Sequence, residues 1–75
     1  MLEHLRALRE DRDLSQDDMA KLLNVHQTTY SDYELGRSNM PIETLEKLAT
    51  FFSTSVDYLL GRTDERRPYP RAKKR

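Results

Sequence analysis

Seventy-five residues, 36% of them apolar, suffice for one small domain with a thin core, and this composition suits helices that each bury one stripe better than a sheet covered on both faces. The absence of cysteine excludes a disulfide framework and a thiolate metal site; no apolar run reaches membrane-spanning length and no charged-then-apolar leader precedes the first helix, so a cytoplasmic protein is expected. The zero net charge conceals an asymmetry: residues 1–65 hold seven basic and thirteen acidic side chains, a net of −6, whereas residues 66–75 hold six basic side chains and no acid.

Five helices are predicted, without internal repeats. The first, about residues 2–12, sets Leu2, Leu5, Leu8 and Arg9 along one side at spacings of three and four. The second, about residues 16–23, follows Ser15, a favourable N-cap, and Asp18 three residues later nearly completes a capping box. Its apolar side carries Met19, Ala20, Leu22 and Leu23. Asn24 is one of the few non-glycine residues that tolerates the left-handed conformation of a tight turn, and Val25 can plug the angle between two helices. The third helix, about residues 27–34, is loaded with small hydrogen-bonding side chains rather than solubilising lysines, and Gly36 stops it. The fourth opens near Pro41 and turns Ile42, Leu45, Leu48, Ala49 and Phe52 inward. Ser53-Thr54-Ser55 breaks it, Ser55 caps a fifth helix over Val56 to Leu60, and Gly61 ends that helix. From Arg62 the apolar periodicity vanishes, and Pro68 and Pro70 forbid a regular helix. The expected organisation is a folded unit over residues 1–61 and a basic, proline-containing, extended or disordered tail over residues 62–75.

Two short helices joined by a sharp turn form a helix-turn-helix, whose second helix enters the major groove of DNA. The flanking residues extend the match. Leu5-x-x-Leu8-Arg9, Leu14-Ser15-Gln16, Met19-Ala20, Asn24-Val25, Tyr33-Glu34-x-Gly36-Arg37, Pro41, Leu45-x-x-Leu48-Ala49 and Ser55-Val56-Asp57-Tyr58-Leu59-Leu60-Gly61 together resemble the phage-repressor (Cro/lambda-repressor-like) helix-turn-helix domain, the xenobiotic-response-element type of bacterial regulator. The resemblance implies an all-α, compact five-helix DNA-binding domain with the helix-turn-helix at helices 2 and 3. It also implies a bacterial or phage-type transcriptional regulator that binds double-stranded DNA as a homodimer, on a palindromic site with half-sites about one helical turn apart. No cofactor or small-molecule ligand is evident, and His4 and His26 lack the further ligands of a metal site.

Gln27, Thr28 and Asp32 share the outer face of the third helix. An amide carries a coplanar donor and acceptor that match adenine N6 and N7, a threonine methyl packs on the thymine methyl, and a carboxylate accepts from cytosine N4. These three are the base-contacting candidates; the plainer reading is a set of solvated polar residues. Candidates for the DNA backbone are Gln16, Thr29, Ser31, Tyr33, and Arg37, Ser38 and Asn39 in the loop after the third helix, where a guanidinium and free helix-start amides attract phosphate. The resemblance gives Gln16 either a phosphate contact or the bracing of Gln27. Tyr30 is expected in the core, and His26 stands where the third helix needs an N-cap that histidine supplies poorly.

Arg9 lies on an apolar stripe, where an unpaired charge is costly. The resemblance assigns Glu34 as its partner in a structural ion pair. Phe52, Tyr58, Leu59 and Leu60 offer more apolar surface than one thin core needs, and in relatives the fourth and fifth helices form the dimer contact, so these are the dimer candidates. Arg66, Arg67, Arg71, Lys73, Lys74 and Arg75 supply electrostatic attraction to nucleic acid. The acidic body is unusual for a DNA binder and supports an alternative, a protein-interaction module of the anti-repressor or antitoxin kind with a protein partner. No nucleophile–base pair or phosphate-cradling glycine loop points to an enzyme.

Overall fold

The apolar spacing is realised as five helices in the computed structural model, which describes residues 1–68: α1 (Glu3–Asp11), α2 (Gln16–Leu23), α3 (Gln27–Leu35), α4 (Ile42–Phe51) and α5 (Val56–Leu59). No strand occurs among the described residues. At the start of α2 the Ser15 hydroxyl accepts from Asp18 N–H while the Asp18 carboxylate accepts from Ser15 N–H, a complete capping box. That backbone donation holds the Asp18 carboxyl below its ordinary pKa. Ser55 caps α5 through Tyr58 N–H at 3.0 Å. Leu2, His26 and Pro41, the N-caps of α1, α3 and α4, make no side-chain capping bond.

All five helices stop by one device. Asp13, Asn24, Gly36, Ser53 and Gly61 each take positive φ just past a helix end. In every case the N–H of the following residue returns to a carbonyl five residues back: Leu14 to Arg9, Val25 to Ala20, Arg37 to Asp32, Thr54 to Ala49 and Arg62 to Asp57. These are Schellman closures, which satisfy carbonyls a helix end would otherwise leave open. The asparagine and the two glycines are legible as stops in the sequence. Asp13 and Ser53 are not, since neither type signals a left-handed residue as strongly.

Leu5 and Leu8 of α1, Met19 and Ala20 of α2, Tyr30 and Tyr33 of α3, Leu48 and Ala49 of α4, with Phe52 and Leu59, form the core. Helix α1 packs on α3 and α5, α2 on α3, and α4 on α5. Cationic staples hold the rim. Arg12 donates to the Phe51 carbonyl at 2.9 Å with its guanidinium 5.1 and 5.0 Å from the Phe51 and Phe52 ring centres, and Lys47 donates to the Leu22 carbonyl at 2.9 Å. Each thereby ties a helix C-terminal carbonyl to another element. His4 stacks on Tyr58, ring centres 4.0 Å apart, and its Nδ1 donates to the Tyr58 carbonyl at 2.7 Å, joining α1 to α5.

Two expectations need correction. Ile42 is 70% exposed, because the first turn of α4 projects past any packing partner. Phe52 and Leu59 are 2% and 1% exposed, buried in this chain's own core, so they offer no surface to a second copy. Beyond Gly61, Arg62 N–H closes on Asp57, and the buried Thr54 hydroxyl donates to the Arg66 carbonyl. Of the basic tail, Arg71, Lys73, Lys74 and Arg75 lie outside the described residues.

Candidate nucleic-acid interface

Helix α3 is anchored from beneath by an ionic network centred on Glu34. The Glu34 side chain is 3% exposed and accepts from Arg9 Nε at 2.6 Å, Arg9 Nη2 at 3.3 Å, the Tyr30 hydroxyl at 2.6 Å and Gln16 Nε2 at 3.4 Å. Arg9 Nη1 donates onward to the Leu14 carbonyl at 2.8 Å. One carboxylate thus joins α1, the α1–α2 turn, α2 and α3. Among the described residues no buried side-chain nitrogen or oxygen lacks a partner. Burial acts to raise the Glu34 carboxyl's pKa, but the Arg9 and Tyr30 hydrogen bonds outweigh it and hold the group below the ordinary carboxylate range. Burial together with the hydrogen bond to Glu34 pushes the Tyr30 hydroxyl up, so it remains a donor.

The start of α3 and the face opposite Glu34 are open. Gln27 and Thr28 are exposed, while Thr29, Ser31 and Asp32 are half-buried. Among the described residues the Asp32 carboxylate has no hydrogen-bonding or ionic partner, although its backbone carbonyl holds Arg37 N–H at 2.9 Å. That bond fixes the start of the exposed loop Arg37-Ser38-Asn39 against the end of α3. The α3 N-terminus also opens outward, since His26 caps nothing. The arrangement is a polar, hydrogen-bonding ridge, rigidly backed, with free amides at one end and a guanidinium-bearing loop at the other.

Residues 5–59 match the helix-turn-helix family. The chain belongs to that family, in its XRE/Cro branch. It is 37% identical over 71 residues to the transcriptional regulator AnsR of Bacillus subtilis, covering 95% of this chain and 61% of that one. Against the cryptic phage CTXphi repressor RstR of Vibrio cholerae it is 39% identical over 57 residues, covering 76% and 51%. A crystal structure of a transcriptional regulator from Listeria innocua superposes with a TM-score of 0.76 at 38% identity, over 85% of this chain and 60% of that one. This chain therefore spans between half and two thirds of the length of these relatives.

Within this helix-turn-helix the structure brings Gln27, Thr28, Ser31 and Asp32 onto one surface, with Arg37, Ser38 and Asn39 beside it. Thr29 flanks them, half-buried. Gln16 is turned inward, its amide nitrogen on Glu34 rather than on Gln27. Tyr33 packs its ring in the core; its hydroxyl makes no bond within the described residues and is not among buried unpaired atoms, so it reaches solvent. Tyr58 and Leu60 keep partial exposure, and Leu60 borders a groove with Leu2, Tyr33, Met40 and Leu45. Arg67 pairs with Glu65 at 3.2 Å, and its bond to that carboxylate holds Glu65 below the ordinary range. Sequence reasoning missed the parts Tyr30, Gln16 and the Leu14 carbonyl play around Glu34. Only Tyr30 left a signal, its i,i+4 spacing to Glu34.

The Glu34 network gives stability a pH dependence. A carboxyl whose pKa is lowered by folding contributes fully above the unfolded value, about 4.3, and that contribution is lost as pH falls through the folded value. Below about pH 5, stability of the native sequence should decline more steeply than that of Glu34→Gln, by up to about 1.4 kcal/mol per pH unit for this one group. Urea midpoints at stepped pH measure it; parallel acid limbs would mean that Glu34 is not held ionised by its partners.

Proposed function

We propose that the protein is a cytoplasmic, sequence-specific double-stranded DNA-binding transcriptional regulator that lays α3 in the major groove. The observation that carries this reading is the two-sidedness of α3: its inner face is clamped through Glu34, while its outer face presents Gln27, Thr28 and Asp32 without lysine or arginine. A helix kept for solubility alone has no need of such rigid backing. In this reading Gln27 pairs with an adenine, Thr28 packs on a thymine methyl and Asp32 accepts from a cytosine amine. Thr29, Ser31, the Tyr33 hydroxyl and the Arg37-Ser38-Asn39 loop hold phosphates. Gln16 acts from behind, through Glu34. The naming of AnsR as a regulator and of RstR as a repressor supports the same reading.

One helix reads only a few base pairs, so selectivity requires two copies on a palindromic site. With Phe52 and Leu59 in the core, the dimer face passes to Leu60 and Tyr58, beside Leu2 and Met40. The net negative charge of residues 1–65 is the one observation that favours a protein-interaction module instead. Selection from a random duplex library separates the two: a recovered palindromic consensus supports DNA recognition, and failure to retain any duplex at low salt supports the alternative.

Gln27→Ala is expected to weaken the selected site by about 1–3 kcal/mol and to relax preference at one or two base pairs, with almost no change in melting temperature. Unchanged affinity and unchanged selected sequence would remove Gln27 from the readers.

A further inference from the structure

A groove of the described chain lies away from α2 and α3. It is an open trough of about 620 Å³ between α4 and α5, with Ala49 and Val56 on its floor and Glu46, Asp57 and Pro68 on its border. Glu46 is exposed and forms no ion pair among the described residues.

The chain is led into this trough by specific bonds. Arg62 N–H closes on the Asp57 carbonyl at 2.9 Å, the buried Thr54 hydroxyl holds the Arg66 carbonyl, and Arg67 N–H rests on the Glu65 carboxylate at 3.1 Å. Pro68 then stands in the trough wall, the last described residue. The next residue is Tyr69, and after it come Arg71, Lys73, Lys74 and Arg75 without an acid. Seven residues reach at most about 25 Å at 3.3–3.6 Å each, and Tyr69 is tied one residue from the trough. So short a tether gives a high local concentration at the trough and a low one elsewhere.

We propose that the α4–α5 trough is the docking site of residues 69–75 of the same chain, with the Tyr69 ring on the Ala49–Val56 floor and the following cations against Glu46 and Asp57. Three observations point to this occupant over a foreign one. The chain enters the trough under its own hydrogen bonds, the first residue after Pro68 in the sequence is aromatic, and the charge of the segment is opposite to that of the border. Single exposed ion pairs are weak and screened by salt, so the ring supplies the anchor and the cations make docking sensitive to ionic strength. In the docked state the tail's charge is turned to the acidic body, and phosphates of DNA would have to compete for it.

The test uses the full chain without DNA, so its failure leaves the DNA-binding reading untouched. In proton NMR at low ionic strength, cross-peaks are expected from the Tyr69 ring to the Val56 and Ala49 methyls, unchanged on tenfold dilution. Tyr69→Ala should abolish them and shift the amides of Glu46, Ala49, Thr50 and Val56 while those of α3 stay in place. Replacing Arg71, Lys73, Lys74 and Arg75 together by glutamine should weaken the cross-peaks as added salt does. All these substitutions lie outside the described core. Absent cross-peaks with identical trough amides in all three proteins would overturn the proposal, and so would cross-peaks that fade on dilution, which would mean a second copy.

Discussion

Arg9→Ala is expected to lower the melting temperature by on the order of 20 °C and to remove specific and random DNA binding together, in proportion to the unfolded fraction. Glu34 is 2% exposed, and Arg9 supplies two of the four donors on its carboxylate. Without the guanidinium, a buried carboxylate retains only one phenol and one amide, and the Leu14 carbonyl loses its donor. Removing one partner of a buried pair commonly costs about 3–5 kcal/mol, a large share of the 5–15 kcal/mol that holds a typical domain together. For a domain of this size each kcal/mol corresponds to about 4–8 °C. Arg9→Met should be milder, because the aliphatic stem still fills its place, although Glu34 stays uncompensated. Thermal melts by circular dichroism decide it: an Arg9→Ala protein that melts like the native one would mean that the pair contributes nothing to stability. Equal loss on specific and random duplexes is the mark of unfolding, whereas Gln27→Ala should affect the specific duplex alone.

Local chemistry explains which parts of this fold are legible in the sequence. The α2–α3 pair is bounded by Ser15 with Asp18, by Asn24 and by Gly36, each of which announces its backbone role within a few residues. Helical spacing likewise carries Thr28 and Asp32 to the face opposite Tyr30 and Glu34, while Gln27 is exposed as the first residue of the helix. A charge on an apolar stripe, Arg9, advertises a buried partner. Periodicity says which stripe is apolar but not which end of it another element covers. Ile42 therefore reads as core although it is exposed, and Phe52 and Leu59 read as surplus although the packing of α5 on α4 and α1 buries both. Gln16 meets Glu34 only because α2 and α3 cross beside α1, a juxtaposition that no spacing encodes. Between Arg62 and Pro68 there is no helix, yet this segment is held: the buried Thr54 hydroxyl needs an acceptor and finds it in the Arg66 carbonyl.

Leu59→Glu and its neighbour Leu60→Glu are expected to fail in different ways. Leu59 is 1% exposed and belongs to the cluster that joins α1, α4 and α5. A carboxylate there either ionises without a partner or is held neutral at the expense of its pKa. Added to the lost leucine packing, itself about 2–5 kcal/mol in a core, this exceeds what so small a domain can absorb. Leu59→Glu should therefore be unfolded, with no cooperative melt. Leu60 is half-buried at the mouth of the groove it shares with Leu2, Met40 and Leu45, where a carboxylate can turn to water. Leu60→Glu should keep a cooperative melt within several degrees of the native one. If two copies meet across this groove, the substitution buries two carboxylates in the interface, one from each copy, and the variant should sediment as a folded monomer. Its affinity for a palindrome should fall to that of an isolated half-site, while the preferred half-site sequence persists. A folded Leu59→Glu protein would overturn the core assignment of that residue. A Leu60→Glu protein that still dimerises would place the interface elsewhere, and a native chain that stays monomeric at every concentration, even on a palindrome, would end the dimer proposal.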